Sequence, residues 1–554
     1  MIIQPNTSHH IIEDLKEWPI TRFYNRRGEF IQALNDFAFK RLGNREKDLQ
    51  SVLEKTLYLE AIRAKKEPWK VDPVDDKTYW KKLGQQLAKS VANESDTTKK
   101  EVNKFIKRII NRYSEEIVGG FQPKTYRFFR KLLTSVYKRL FLSIKAPYLI
   151  KAWGNYEDLM KKMHISGSVD QIRKLFPKHT VILVPTHFSN LDSILLGYFI
   201  DSKLGIPAFS WGAGLNLYDY ELFAHYMNKL GTYRVDRRKK NPIYLETLKS
   251  MTTLSIHFGL NNIFFPGGTR SRSGALESKL KLGLLQSTIE AQRLNIIEDK
   301  SEKIIIVPVI LGYHFVLEAA GLIEQQLQYE GKEKYTSIKY KESKLSKISV
   351  ITSNMMTRGT DVRVHFCQPM DVLGNKVDED GNSFDKNGMP INLADYFTLG
   401  NEIQNNYQRE RVYTEILSKS IVKSFYSENI ILSSHLIAFT AFNLYKKLYS
   451  DISIYDLVNK SRDKKTISHE DMMVSMKSII SHVRETNVCA LSEEVEKGAE
   501  HALNLGLKKL GLFHRRKPLY RTKSNEYTSE SLKLLYYYHN RLSNFGLEII
   551  FANS

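Results

Sequence analysis

The chain has 554 residues, too many for one compact core, and its 42% hydrophobic and 11% aromatic content exclude a disordered or low-complexity protein. A formal charge of +22 and a pI near 9.5 exclude a strongly cationic partner and point to an anionic one: a phosphorylated substrate, an anionic lipid surface or nucleic acid. Two cysteines, Cys367 and Cys489, far apart and without metal spacing, exclude a disulfide framework and a zinc site.

The N-terminus, Met1-Ile-Ile-Gln-Pro-Asn, lacks the basic segment and apolar stretch of a secretory signal. Residues 1–145 read as a basic helical region. Leu53–Ala64 and Val102–Tyr113 carry apolar residues at three- and four-residue spacing. Residues 121–141, which mix aromatics with six cationic residues, have the composition of an interfacial amphipathic helix.

From about 146 to 375, within a domain expected at 146–392, the pattern alternates. Strands are expected at 180–185, 206–210, 232–236, 262–266, 303–311 and 361–367, with helices at 190–203, 219–230, 242–258 and 279–294. That alternation predicts an α/β fold with a mostly parallel sheet, flanked by helical N- and C-terminal regions. The lysine-rich stretch 331–348 reads as an exposed insertion and 374–388 as turns; Gly381 falls at the wrong offset for an EF-hand. Residues 393–554 read as helical. Ile430–Tyr445, interrupted by Ser433, Ser434, His435 and Asn443, reads as a core helix and not a membrane span.

The chain is organised around Val181-Ile-Leu-Val-Pro-Thr-His-Phe-Ser-Asn-Leu-Asp192. On one continuous helix, positions five apart lie roughly 140° from each other and the side chains diverge. With His187 in a strand-to-helix bend and Asp192 in the first helical turn, the carboxylate can reach back and hold the imidazole in one tautomer. Ser189 is the expected N-cap. Other candidates follow further strands: Arg237 after 232–236, and the glycine-rich loop Phe264-Phe-Pro-Gly-Gly-Thr-Arg-Ser-Arg-Ser-Gly274 after 262–266. In open α/β sheets, ligands bind where strand ends open into loops.

His187 and Asp192, Trp211-Gly-Ala-Gly-Leu-Asn216 with Gly231–Arg237, the loop 264–274, and Ile306-Val-Pro-Val309 continuing to Tyr313 and Glu318 together resemble the four blocks of the glycerolipid acyltransferase family. Glu116–Gly119, Tyr126–Phe128 and the helical stretch after 393 look like the long glycerol-3-phosphate and dihydroxyacetone-phosphate acyltransferases. The resemblance implies transfer of a fatty acyl group from a thioester of coenzyme A or acyl carrier protein to the sn-1 hydroxyl of glycerol 3-phosphate, the first step of phospholipid synthesis. The acceptor alternatives are dihydroxyacetone phosphate and a lysophosphatidate; more remote are an inactive membrane-binding relative and a nucleic-acid binder, for which no module is visible.

By the same resemblance His187 is the general base and Asp192 its orienter; Arg237, Gly267, Gly268, Thr269, Arg270, Arg272 and Lys281 form the substrate site. An imidazole, with an ordinary pKa near 6.5, suits removal of the hydroxyl proton. Guanidinium groups suit phosphate because they offer two aligned charge-assisted hydrogen bonds. Tyr313 and Glu318 read as fold or rim residues. No cofactor or metal is expected. The expected location is peripheral, on the cytoplasmic side of a membrane, without a transmembrane helix. One departure stands out: Gly267 occupies the position of a family glutamate, which leaves the acceptor open, and Glu277 downstream has no placement from sequence.

Overall fold

The computed structural model describes residues 9–46, 48–69, 72–91, 97–142, 155–215, 226–330, 360–400, 402–460 and 465–552. Its centre is a seven-stranded sheet built from β1 (Met163–Gly167), β2 (Thr180–Pro185), β3 (Ser210–Gly214), β4 (Thr232–Val235), β5 (Asn262–Ile263), β6 (Ile304–Tyr313) and β7 (Val362–Phe366), in the order β1-β7-β6-β2-β5-β3-β4. The five strands β6-β2-β5-β3-β4 are mutually parallel. β7 runs antiparallel to β6, and β1 pairs parallel with β7 at the edge.

Alternation along the central strands explains why they read as continuous apolar runs. Val181 and Leu183 of β2, with Ile305, Val307 and Leu311 of β6, join one buried cluster; Ile182, Val184, Ile304, Ile306 and Ile310 join the cluster on the opposite face. A strand buried on both sides must be apolar at every position. The first face is covered by helices Pro123–Phe141 and Asp192–Phe199, the second by Leu282–Ile297 and Tyr407–Ser427. The latter two are also joined by Arg293 and Glu410, 2.6 Å apart and buried. N-terminal helices pack on Pro242–His257 beside β4, through Phe30, Leu34, Leu53, Ile106 and Tyr113 against Ile243, Tyr244 and Met251.

Several elements shift from their expected places. The strand expected at 206–210 forms at Ser210–Gly214, because a π-helical turn at Ile200–Leu204 ends on left-handed Gly205 and Ile206–Phe209 only lead into the ladder. β1 was not expected: its Met163-His-Ile-Ser-Gly sequence is buried at Met163 alone, as befits an edge strand. Residues 374–388 are turns with two-residue strand pairs, in which Asp378 accepts from the backbone of Asp380 and Asn382. The stretch 331–348, most of the helix expected at 219–230, and Asn216 lie outside the described residues. The interrupted apolar stretch near 430–445 is the buried helix Ser433–Leu448. Among the described residues no helix is long and apolar enough to cross a membrane.

Candidate active site

β2 stops at Pro185, which has no N–H to continue a ladder. Thr186 then fastens the chain to β6, donating its N–H to Val309 O at 2.9 Å and accepting the Leu311 N–H on Oγ1 at 3.0 Å. The backbone bends at His187, and the next helix begins at Asp192. Leu191, not Ser189, is its N-cap.

Asp192 is fully buried and saturated by donors. Its Oδ2 accepts the His187 Nδ1–H at 2.8 Å, the Phe188 N–H at 2.6 Å and the Ser189 N–H at 2.8 Å; its Oδ1 accepts the Tyr313 hydroxyl at 2.7 Å. A carboxylate only accepts, so Nδ1 carries a proton, and in the neutral imidazole it is Nε2 that holds the free lone pair. The ring is 18% exposed and lies against Phe265 at a centroid distance of 4.3 Å. This is an oriented, solvent-reachable base with a buried carboxylate behind it.

The glycine-rich loop is tied to this bend, since Ser271 N–H donates to His187 O at 2.7 Å. Arg237, leaving β4, donates to Gly268 O at 2.5 Å. Lost hydration pulls its guanidinium below the usual range, and the positive charge of Arg270 pulls it further. Arg237 and Arg270 therefore repel each other within one small region, which an anion would relieve. Gly268 has φ +72°, and an added Cβ would stand 2.6 Å from Cδ of Lys281, whose stem crosses over it. Gly268 is thus the position where the turn requires glycine.

The remaining candidates divide. Arg270 pairs with Glu318 at 3.2 Å, and Glu318 also receives the Ser189 hydroxyl at 2.9 Å and the Asn190 N–H at 3.0 Å. Glu318 and Tyr313, read from sequence as fold or rim residues, therefore touch the bend directly. Only the fold could show this, because both lie more than a hundred residues from the bend in sequence. Ser189 spends its hydroxyl on Glu318 and not on His187. Gly267 adjoins Glu277: a Cβ there would meet Glu277 Cγ and Oε1 at 3.2 Å each. Thr269, Arg272 and Lys281 are exposed; Arg272 has no hydrogen bond or ion pair among the described residues.

Among the described residues, two clusters elsewhere have metal-like composition. His314, Asp361 and Glu494 surround the ammonium of Lys509, which stands 2.6 Å from Asp361 and 2.9 Å from Glu494 and supplies the positive charge itself. In the other, burial pushes the Cys367 thiol up, away from the thiolate that metals prefer, and Glu428 accepts from Gln368 N–H.

An acyltransferase family profile matches residues 167–312, which span β2 to β6 and the whole bend. Over that segment the chain is similar to acyltransferases. Curated glycerol-3-phosphate acyltransferases resemble it over about half its length. That of Baumannia cicadellinicola is 28% identical over 263 residues, covering 47% of this chain and 28% of that one. Those of Pseudoalteromonas atlantica and Pseudomonas putida KT2440 are each 24% identical, over 44% and 52% of this chain and 27% and 31% of theirs. The matched part is thus under a third of each of these relatives' own length. The crystal structure of the 1-acyl-sn-glycerophosphate acyltransferase PlsC from Thermotoga maritima aligns over 67% of this chain and 95% of that one, at 16% identity and a TM-score of 0.24, too distant to bear on the site.

If Arg237 and Arg270 form an anion site, the loss of a single guanidinium probes it directly. Arg270→Ala is expected to raise the acceptor KM about 10-fold or more with a smaller change in kcat, as lost ground-state binding requires. Steady-state kinetics with varied acceptor checks it; an unchanged KM removes Arg270 from the phosphate site.

Proposed function

We propose that the protein transfers a fatty acyl group from a coenzyme A or acyl-carrier-protein thioester to the sn-1 hydroxyl of glycerol 3-phosphate. One observation carries this reading: His187, oriented by buried Asp192, shares a bend with the loop that brings Arg237 and Arg270 together. The acceptor oxygen attacks the thioester carbonyl while His187 Nε2 takes its proton. The C–S bond then breaks, and the departing thiolate recovers a proton from the imidazolium. A thiol of pKa near 8.5 leaves readily, so no covalent acyl-enzyme is required. The roles proposed for Gly267, Gly268, Thr269, Arg272 and Lys281 are to present amides and positive potential to the phosphate.

An apolar pocket lined by Phe129, Leu133, Ile194, Phe209, Trp211 and Met227, with Ser193, the neighbour of Asp192, also in its wall, suits the acyl chain. Its outer wall is helix Pro123–Phe141, which buries Phe129, Tyr137 and Phe141 and leaves Phe128, Leu132 and Val136 exposed on its far side. Those three, flanked by Lys124, Arg127 and Lys131 with no acidic residue in the helix, support peripheral binding to an anionic membrane. Phe128→Asp combined with Leu132→Asp is expected to cut binding to phosphatidylglycerol vesicles at least about 10-fold in a flotation assay, while the fold persists. Undiminished flotation moves the membrane contact elsewhere.

The acceptor is tested by offering glycerol 3-phosphate, dihydroxyacetone phosphate and a lysophosphatidate in turn, with product regiochemistry read by NMR. Preference for glycerol 3-phosphate with sn-1 acylation is expected. Preference for a lysophosphatidate overturns the acceptor assignment.

A further inference from the structure

Both backbone polar groups of His187 are held by the loop that follows β5. Ser271 N–H reaches its carbonyl, and its N–H reaches Glu277 Oε1 at 2.9 Å. The other Glu277 oxygen, Oε2, is shielded from solvent and has no hydrogen-bond partner among the described residues. The carboxylate fits there because position 267 has no side chain.

The loop is in turn held by the C-terminal segment. Asn540 donates to Ser273 O at 3.0 Å, and Gly274, at φ +88°, packs so closely on Tyr537 that a Cβ would stand 2.1 Å from its carbonyl oxygen. Arg541, buried, lies with its guanidinium 4.3 Å from the centroid of the Phe188 ring and donates to Leu311 O at 2.9 Å. Tyr537, Asn540 and Arg541 fall outside the segment that matches the family profile.

We infer that Glu277 is a positioning residue for His187: its carboxylate fixes the backbone of the bend. The inference deepens the acyltransferase reading and rests on it for its kinetic arm. An ionised acceptor makes the stronger hydrogen bond, so the bend is held best when Glu277 is deprotonated. Burial pushes its carboxyl up to about 7, opposed by the His187 N–H, by His187 and by Arg541; Tyr426 of helix Tyr407–Ser427 also faces it. Arg541 is itself pulled down to about 10 by burial, with Glu277 the first of the groups opposing that fall. A carboxyl that titrates near neutrality makes the hold on His187 weaken as pH falls through about 7. Because its folded value lies above the unfolded one, the folded state binds the extra proton, and the stability contributed below about 4.5 is lost as pH rises through about 7.

The test uses the full chain. In Glu277→Ala the downfield Nδ1–H resonance of His187, assigned by its loss in His187→Gln, should broaden or vanish. Its kcat should fall about 100-fold with substrate KM values within about twofold, as misplacement of a catalytic group produces. Glu277→Gln, whose amide oxygen still accepts, should restore most of both and melt at higher temperature than wild type at pH 8 but not at pH 4. A sharp resonance and wild-type kcat in Glu277→Ala would overturn the positioning role; should that variant fail to fold, Glu277→Gln with no carboxyl band lost near pH 7 does so. If the wild type releases no thiol, the acyltransferase reading fails, while the resonance and infrared arms still decide the role of Glu277.

Discussion

His187→Ala is expected to reduce acyl transfer by at least about 1,000-fold, the scale of a general base removed together with its orientation. The loss should fall on kcat. The imidazole is partly exposed, touches Phe265, and supplies one of the four hydrogen bonds to Asp192; the other three, from Phe188, Ser189 and Tyr313, survive its removal. The bend should therefore persist, with a stability change of about 1 kcal/mol. Glycerol 3-phosphate binding, read by calorimetry, should be little altered because Arg237 and Arg270 are untouched. Full activity in this variant contradicts the assignment of the base.

Asp192→Asn should show a different signature. The amide is uncharged, and whichever way it turns, its NH2 group faces a donor: His187 Nδ1–H, Phe188 N–H and Ser189 N–H on one side, or the Tyr313 hydroxyl on the other. Hydrogen bonds to a buried charge contribute about 1.5–3 kcal/mol each, so the variant should lose about 3–5 kcal/mol in denaturant unfolding. Without its acceptor the imidazole is free to take the other tautomer, which puts the proton on Nε2 and removes the base; kcat should fall about 1,000-fold or more. Wild-type unfolding free energy would mean that the buried carboxylate does not hold the bend.

The strands were legible where burial on both faces made nearly every residue apolar, as in Thr180–Pro185 and Ile304–Tyr313. The bend was legible because a proline-terminated strand, a histidine and a carboxylate follow in twelve residues. What local pattern could not supply were partners distant in sequence. Tyr313, Glu318 and Arg541 touch the bend only because β6 pairs with β2 and the C-terminal segment folds under both. Glu277 is ten residues from Gly267, yet only the turn between them lays its carboxylate there. Edge strand β1 carries no apolar run: among the described residues it pairs with β7 alone, and of its own residues it buries only Met163.

The most direct test of the central claim is thiol release from an acyl thioester, followed with and without glycerol 3-phosphate, for the wild-type chain beside His187→Ala. The account predicts release that depends on glycerol 3-phosphate in the wild type, matched mole for mole by acylated product, and almost none in the variant. Release that ignores the acceptor, or that survives replacement of His187, would contradict it.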